Sequence, residues 1–200
     1  MFSTWRKNWH KKRLKEARFA FLFDKAPDNE YVCLDCETTG LNPKTDEIIS
    51  IAAVRIKDNA ILHHERLELM IKHENISQSS IKVHMIRDCD TQQGLDIHSA
   101  LEQLLAFIGS RPIVGYYTEF DVAMINKYLK PWLGIKLPNE VIETSALYHD
   151  WKIDLIPQKR IDLKFDTILD DLGLPKLAAH NAYNDVLMTA MIFLSLKNQK

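Results

Sequence analysis

Residues 31–41 read Tyr31-Val-Cys-Leu-Asp-Cys-Glu-Thr-Thr-Gly-Leu41, and the rest of the chain can be interpreted outward from this stretch. Its first four residues are mostly apolar, β-branched or aromatic, which predicts a short buried strand. Asp35 and Glu37 follow at alternate positions, so both side chains leave the same face of that strand. Two neighbouring carboxylates repel each other unless a positive charge lies between them, and a divalent metal ion is the simplest candidate. Because an Asp-x-Glu pair also occurs by chance on exposed strands, other segments must decide between these interpretations.

Length and composition indicate a soluble protein with one core. A chain of 200 residues suffices for one sizeable domain. The three cysteines, an odd number, argue against a disulfide framework and a thiolate zinc site, and they favour a reducing, cytoplasmic location. No apolar run approaches the roughly 18 residues that a membrane span needs, so we expect no membrane association. The basic N-terminus lacks the apolar core of a secretory signal.

Positive charge is concentrated at the N-terminus. The first 18 residues contain seven basic residues and one acidic residue, although the whole chain has a net charge of −1. Two tryptophans one helical turn apart, followed by further apolar residues at helical spacing, predict one or two helices over residues 2–24. We therefore expect a basic, tryptophan-containing helical extension, residues 1–27, before a main domain, residues 28–200. The extension either docks on that domain with a solvated basic face or binds nucleic acid as an arm.

The pattern of the main domain predicts an α/β fold. The apolar run of residues 46–57 indicates a central strand, and residues 60–71 its hairpin partner, so the sheet begins antiparallel. Later segments alternate between helices and short strands, which is typical of a sheet packed by helices. The short strands are predicted at residues 112–116 and 141–144, the second leading into a helix that runs to residue 151, and the other helices at residues 76–87, 97–108, 119–132, 163–172 and 181–196.

Three further polar residues lie near predicted helix starts, where open sheets gather functional groups. Asp121 begins the helix that follows a buried strand, and His180 and Asp185 lie five residues apart at the start of the closing helix. Each has an ordinary explanation alone, since an aspartate favours a helix N-terminus and a histidine can cap a helix or lie in a loop. The combination of Asp-x-Glu, a helix-start Asp and His-x4-Asp predicts one shared acidic site.

These motifs resemble those of the DnaQ-like 3′–5′ exonucleases that have a histidine in the third motif, the DEDDh group. Proofreading subunits such as the epsilon subunit of DNA polymerase III belong to that group. The resemblance covers the chain from Tyr31 onward and rests on three motifs in order. The motifs are Asp35-x-Glu37-Thr-Thr-Gly-Leu41 followed by Asp46-Glu-Ile-Ile-Ser-Ile-Ala-Ala-Val54, then Phe120-Asp121, and then His180-x4-Asp185. Ile142-Glu143-Thr144 is also similar to the Ile-Asp-Thr strand of the family, with Glu in place of Asp.

The resemblance implies a ribonuclease H-like fold, with a mixed five-stranded sheet whose first three strands are antiparallel and which is flanked by helices. It implies hydrolysis of phosphodiester bonds from the 3′ end of single-stranded DNA, with release of nucleoside 5′-monophosphates. Two Mg²⁺ or Mn²⁺ ions would be required, in keeping with an all-carboxylate site. Asp35 would bridge both ions, Glu37 and Asp185 would hold the first, and Asp121 would act at the second. His180 would be the general base, for which an ordinary pKa near 6.5 is suitable.

The same resemblance suggests residues that bind the substrate. Thr38, Thr39 and Leu41 are similar to family residues that contact the terminal nucleotide. The family often has His-Asn before the second motif, where this chain has Tyr116 and Tyr117 nearby. Both tyrosines could stack on a base, and Tyr116 could equally pack in the core.

Two alternatives stay open at the level of the sequence. The substrate could be RNA or short oligoribonucleotides, because no residue of this chain decides the sugar. The chain could also be a non-catalytic module that binds a polymerase or nucleic acid, although such a module has no need of four carboxylates and a base. The extension is the segment through which we expect contact with a polymerase or with a second copy of the chain.

Overall fold

The computed structural model describes residues 10–74, 76–155, 160–178 and 181–198. A five-stranded sheet with the order β3-β2-β1-β4-β5 forms its centre. The first three strands are antiparallel, and β4 and β5 run parallel to β1. The predicted α/β fold, with a mixed sheet that begins antiparallel, is therefore confirmed. The strands are β1 (Glu30–Thr38), β2 (Ile48–Lys57), β3 (Ala60–Met70), β4 (Ile113–Gly115) and β5 (Val141–Glu143).

Helices connect and cover the strands, and each predicted helix of the main domain is found within a few residues of its expected bounds. Asp96 begins α3 by accepting hydrogen bonds from the N–H groups of His98 and Ser99, a normal N-cap. No helix in the described parts of the chain is long and apolar enough to cross a membrane. The helices are α1 (Gln78–His84), α2 (Asp88–Thr91), α3 (Ile97–Ile108), α4 (Thr118–Leu133), α5 (Thr144–Leu155), α6 (Phe165–Asp171) and α7 (Ala182–Lys197).

The two faces of β1 pack against different helices. Leu34 and Cys36 belong to the core that α3 and α4 cover. Cys33 belongs to a second core on the opposite face, where α7 contributes Val186 and Phe193. Because side chains alternate along a strand, Asp35 and Glu37 share the face of Cys33. The sheet therefore presents both carboxylates toward α7.

The described part of the N-terminal extension docks on the end of α4. Within it, residues 10–13 are helical, and Ala17–Phe23 form a 3-10 helix. Phe19 is buried with its ring 5.2 Å from that of Trp132, whose indole N–H donates to Glu16 at 2.6 Å. The tryptophans of the extension, Trp5 and Trp9, lie outside the described residues. The division of the chain at residue 27 remains a prediction.

Candidate active site

Three predicted carboxylates meet at one edge of the sheet. Asp35 and Glu37 lie near the end of β1, and Asp185 lies in the first turn of α7, the helix that covers their face. One potential ligand atom from each lies within 4.8 Å of the other two. Asn181 caps α7 by accepting a hydrogen bond from the Asn184 N–H at 3.1 Å, which holds the first turn in place. The fold thus brings together residues 150 positions apart in sequence.

Asp121 reaches the same edge from the other side of the sheet. It lies in the first turn of α4, is only 4% exposed, and accepts a hydrogen bond from the backbone N–H of Cys36 at 3.2 Å. Cys36 separates Asp35 from Glu37 in β1, so the hydrogen bond places the Asp121 carboxyl beside both. All four predicted acidic residues are therefore neighbours.

The carboxyl groups destabilise each other's charged forms. Burial, followed by the charges of Asp121, Glu37 and Asp185, raises the pKa of Asp35 well above its usual range. Burial raises the pKa of Asp121 to about 8, against the opposing effect of the Cys36 hydrogen bond. A site that concentrates negative charge in this way, and whose donors among the described residues are all carboxylate oxygens, fits hard divalent cations such as Mg²⁺ or Mn²⁺.

The nearby cysteines do not belong to this donor set. Cys33 and Cys36 have Cys-x-x-Cys spacing, but they belong to the cores on opposite faces of β1. Burial raises the pKa of both thiols well above the ordinary value, so neither is disposed to ionise. Their separation by the sheet prevents them from binding one metal ion together.

The predicted base, His180, lies outside the described residues. It directly precedes Asn181, the N-cap of the helix that carries Asp185. Its role is therefore still a prediction from the third motif.

An open cleft of about 1020 Å³ surrounds the carboxylates. The predicted substrate residues Thr38, Thr39, Leu41, Tyr116 and Tyr117 all line it, as do Gly40, Val83, His84 and Glu119. Leu41 is 87% exposed and Tyr117 is 61% exposed, so two large apolar surfaces remain uncovered beside the acidic centre. Exposed apolar surface next to a polar centre is typical of a ligand site.

The loop after β1 is held by its own hydrogen bonds. The Thr38 hydroxyl donates to the Gly40 carbonyl at 2.7 Å, and the Thr39 N–H donates to the Glu47 carbonyl at 2.9 Å. A side chain at Gly40 would come within 2.6 Å of the Asp46 carboxylate, which itself accepts from the Asn42 N–H. A larger residue at position 40 would therefore displace the Asp46 carboxylate, and the threonines shape the loop as well as line the cleft.

The two adjacent tyrosines have different environments. The Tyr116 hydroxyl donates to the Leu163 carbonyl at 2.8 Å, and its ring lies 4.8 Å from that of Phe165, so packing accounts for this side chain. Tyr117 instead has a left-handed backbone, φ 53°, and an exposed ring. A non-glycine residue in this conformation is strained unless its surroundings hold it there.

Glu143 holds that strained turn, although the sequence motifs did not mark it as a site residue. Its carboxylate accepts from the backbone N–H groups of Tyr117 and Thr118, at 3.0 and 2.8 Å, and from the Thr118 hydroxyl. It also accepts from the N–H and hydroxyl of Ser145, at the start of α5. One carboxylate at the end of β5 therefore fixes the start of α4, three residues before Asp121. The sequence signal for this role of Glu143 was its place in Ile142-Glu143-Thr144, which resembles the Ile-Asp-Thr strand of the family.

Replacing Glu143 with glutamine should weaken both stability and turnover. The amide can accept through one oxygen only, so donors at the start of α4 lose their partner, at a cost of about 1–3 kcal/mol. We expect a fall of several degrees in Tm and a lower kcat from misplacement of Asp121. Glu140→Gln, an exposed neighbour, is the matched control. Equal Tm and kcat for both variants would contradict this role of Glu143.

His84 is a second residue that the sequence patterns missed. It is 4% exposed, lines the cleft, and accepts the Ile86 N–H at Nδ1 at 3.0 Å. Burial lowers the pKa of its imidazole, so the neutral ring carries its proton on Nε2. Within the described residues, that nitrogen has no hydrogen-bond partner. The surrounding sequence is polar and irregular, so nothing in it indicated a buried histidine.

Solved structures share this fold. Cell-death related nuclease 4 superposes with a TM-score of 0.71 at 15% identity, covering 87% of this chain and 65% of that chain. Exonuclease I from E. coli in its zinc-bound complex with single-stranded DNA has a TM-score of 0.69 at 15% identity, covering 87% of this chain and 41% of that one. At such identities the likeness concerns the fold.

Sequence comparison identifies nearer relatives. The DNA polymerase III PolC-type protein of Thermotoga petrophila is 31% identical over 173 residues, which are 86% of this chain and 12% of that protein. The DNA polymerase III subunit epsilon of Aquifex aeolicus is 29% identical over 173 residues, 86% of this chain and 83% of the subunit. The chain thus spans only a small part of its PolC-type relatives.

The exonuclease family model, RNase_T, matches residues 32–193. Because that match includes most of the chain and all of the motifs, the chain belongs to the exonuclease family.

Proposed function

We propose that the protein is a metal-dependent 3′–5′ exonuclease that removes nucleoside 5′-monophosphates from the 3′ end of single-stranded DNA. One observation supports it above all: Asp35, Glu37 and Asp185 converge in an open cleft, with buried Asp121 beside them. A module that only bound nucleic acid would gain nothing from concentrating negative charge where a phosphate must approach.

The chemistry follows from the residues present. Asp35, Glu37 and Asp185 would hold divalent ions, with Asp121 beside them. Such ions, when bound, neutralise the carboxylates and the phosphate and make a bound water more acidic. His180 would take the proton from the attacking water, because a neutral imidazole accepts protons near neutral pH. The Cys36 N–H would keep the Asp121 carboxyl oriented during the reaction.

The terminal nucleotide would lie against the exposed apolar surfaces of the cleft. Leu41 and Tyr117 come from two different segments, the loop after β1 and the start of α4, and each leaves a large apolar surface open. An aromatic ring stacks on any base, so this arrangement suits an enzyme that shortens strands of varied sequence.

Replacing Tyr117 with alanine should weaken substrate binding selectively. Loss of base stacking costs about 1–3 kcal/mol, which raises KM about 5- to 150-fold. Tyr116→Phe, which removes only the hydroxyl bonded to Leu163, is the control for general disturbance of this segment. Steady-state kinetics with an oligonucleotide measure both. An unchanged KM for Tyr117→Ala would exclude the stacking role.

The polymerase relatives suggest the setting of this activity. Their exonuclease-like region belongs to a DNA polymerase III protein in one case and to its epsilon subunit in the other. We propose a cytoplasmic enzyme that acts alone or with a polymerase, the N-terminal extension being the candidate contact with a polymerase or a second copy.

The proposal is tested with 5′-labelled single-stranded DNA and RNA of one sequence, each incubated with Mg²⁺, Mn²⁺ or a chelator. We expect a ladder of strands shortened from the 3′ end with either metal, faster for DNA, and intact strands with chelator. Faster shortening of RNA would reassign the substrate to RNA. No shortening of either strand with either metal would overturn the proposal.

A further inference from the structure

A second groove adjoins the acidic cleft along α4. Its volume is about 600 Å³, and its lining includes Pro43, Lys44, Glu119, Asn126, Lys127 and Lys136. We refer to it as the lysine groove. The cleft and the groove share Glu119, and both lie between the loop after β1 and α4. The groove therefore lies next to the cleft along α4.

The acidic cleft and the lysine groove carry charge of opposite sign. The cleft is lined by the four site carboxylates, Glu119 and Glu143, whereas the groove has three lysines and only Glu119. Lys44 and Lys136 are exposed. The ammonium group of Lys127 donates to the Asp46 carbonyl at 2.8 Å, which joins α4 to the loop and fixes that wall of the groove. Exposed lysines next to an acidic centre suit a polyanion that passes both.

The basic extension lies at the far end of the same helix. The Lys15 N–H donates to the Leu133 carbonyl at 3.0 Å, and its ammonium group donates to the Pro131 carbonyl at 2.8 Å. Gly134, two residues before Lys136 of the groove, packs against the backbone of Arg13. Helix α4 has 16 residues and is therefore about 24 Å long. Positive charge thus recurs along α4 from the edge of the cleft to its C-terminal end.

We propose that the lysine groove binds the sugar–phosphate backbone of the substrate strand on the 5′ side of the nucleotide being removed, and that it directs this strand toward the extension. The inference rests on the proposed function, because it takes the 3′ end to lie in the cleft. Proteins that bind single strands commonly do so in a positively charged groove that follows the sugar–phosphate backbone. Contacts to phosphates carry no sequence preference, so longer strands should bind more tightly whatever their bases.

The test compares strands of different length and variants of equal charge. Lys44→Ala/Lys136→Ala removes two groove lysines, and Lys57→Ala/Lys197→Ala removes two lysines near the opposite edge of the sheet, where β2 ends and the Lys197 ammonium group donates to the Asp58 carbonyl. Binding of fluorescent single-stranded 3-mers and 15-mers is measured by anisotropy at several salt concentrations, in an Asp35→Asn background that does not consume the strand. Cleavage of both lengths is measured with Asp35 intact.

We expect the groove variant to bind the 15-mer about tenfold more weakly at physiological salt and the 3-mer within about twofold of the parent protein. The slope of log K against log salt for the 15-mer is negative, and it should become less steep by about 1.4, the value for two lost phosphate contacts on a single strand. The opposite-edge variant should keep the parent slope. The ratio of kcat/KM for the 15-mer to that for the 3-mer should fall in the groove variant alone.

Three results would overturn the inference: no binding of the 15-mer by the parent protein, equal slopes for both double variants, or equal losses for the 3-mer and the 15-mer. These outcomes differ from failure of the proposed function. If the wild-type protein cleaves neither strand, the activity is wrong, whereas cleavage without a change in the length ratio refutes only the groove.

Discussion

Replacing Asp35 with asparagine is expected to abolish metal-dependent cleavage, with a loss of about a thousandfold or more. The other site carboxylates group around Asp35, so the amide removes a charge from the centre of the proposed metal site. A bound metal ion supplies several kcal/mol of transition-state stabilisation, and each 1.36 kcal/mol is a factor of ten in rate. Turnover is compared with that of Asp154→Asn, an exposed aspartate of α5, which should behave like the wild type.

The same variant should be more stable than the wild type in the absence of metal. The raised pKa of Asp35 means that the folded state disfavours this charge, so the asparagine removes a repulsion. A carboxyl whose pKa is raised in the folded state contributes stability that falls as pH rises above its unfolded pKa, near 3.9 for aspartate. The gain in Tm should therefore be larger at pH 8 than at pH 5.

Thermal unfolding with and without metal completes this test. Mg²⁺ or Mn²⁺ should raise the Tm of the wild type, because a ligand that binds only the folded state stabilises it, and should raise that of Asp35→Asn less. Wild-type cleavage rates in Asp35→Asn would refute the site. A metal-induced rise in Tm equal to that of the wild type would show that the ion binds elsewhere.

Replacing His180 with alanine should lower kcat by about 10²–10⁴, the usual contribution of general acid–base catalysis. Substrate affinity should change little, because the proposed role begins only when the water loses its proton. In the wild type the rate should rise with pH as the imidazole loses its proton, and this limb should disappear from the profile of the variant.

The control for this prediction is His64→Ala, whose side chain is 78% exposed on β3. It should keep both the rate and the pH profile of the wild type. If His180→Ala keeps wild-type turnover, another group is the base, and the buried His84 that lines the cleft becomes the first residue to examine.

Much of this arrangement could be predicted because it depends on short-range periodicity. The alternation of Asp35 and Glu37 on a strand determines that they share a face, and the apolar pattern of residues 181–196 predicted α7 as a long closing helix. The order of strands and helices was likewise visible in their hydrophobic patterns. Asp185 was instead predicted from the His-x4-Asp motif at the start of this helix, taken together with the other acidic motifs.

The remaining features depend on contacts between distant segments. Glu143 and Tyr117 are 26 positions apart, and only the pairing of β5 with β4 makes one the hydrogen-bond acceptor of the other. The burial of His84 follows from the packing of α1 beside the loop after β1, where the Ser80 hydroxyl donates to the Thr39 carbonyl. No periodicity within one segment reports such contacts, so the sequence alone could not identify them.

The most direct test of the central claim is the identity of the first product. A single-stranded DNA oligonucleotide is incubated with wild-type protein and Mn²⁺. The earliest products are then separated and identified by mass spectrometry. The proposed function predicts nucleoside 5′-monophosphates from the 3′ end, together with shortened strands that keep a 3′-hydroxyl, and neither product with Asp35→Asn. Internal fragments, nucleoside 3′-monophosphates or the same products from Asp35→Asn would contradict it.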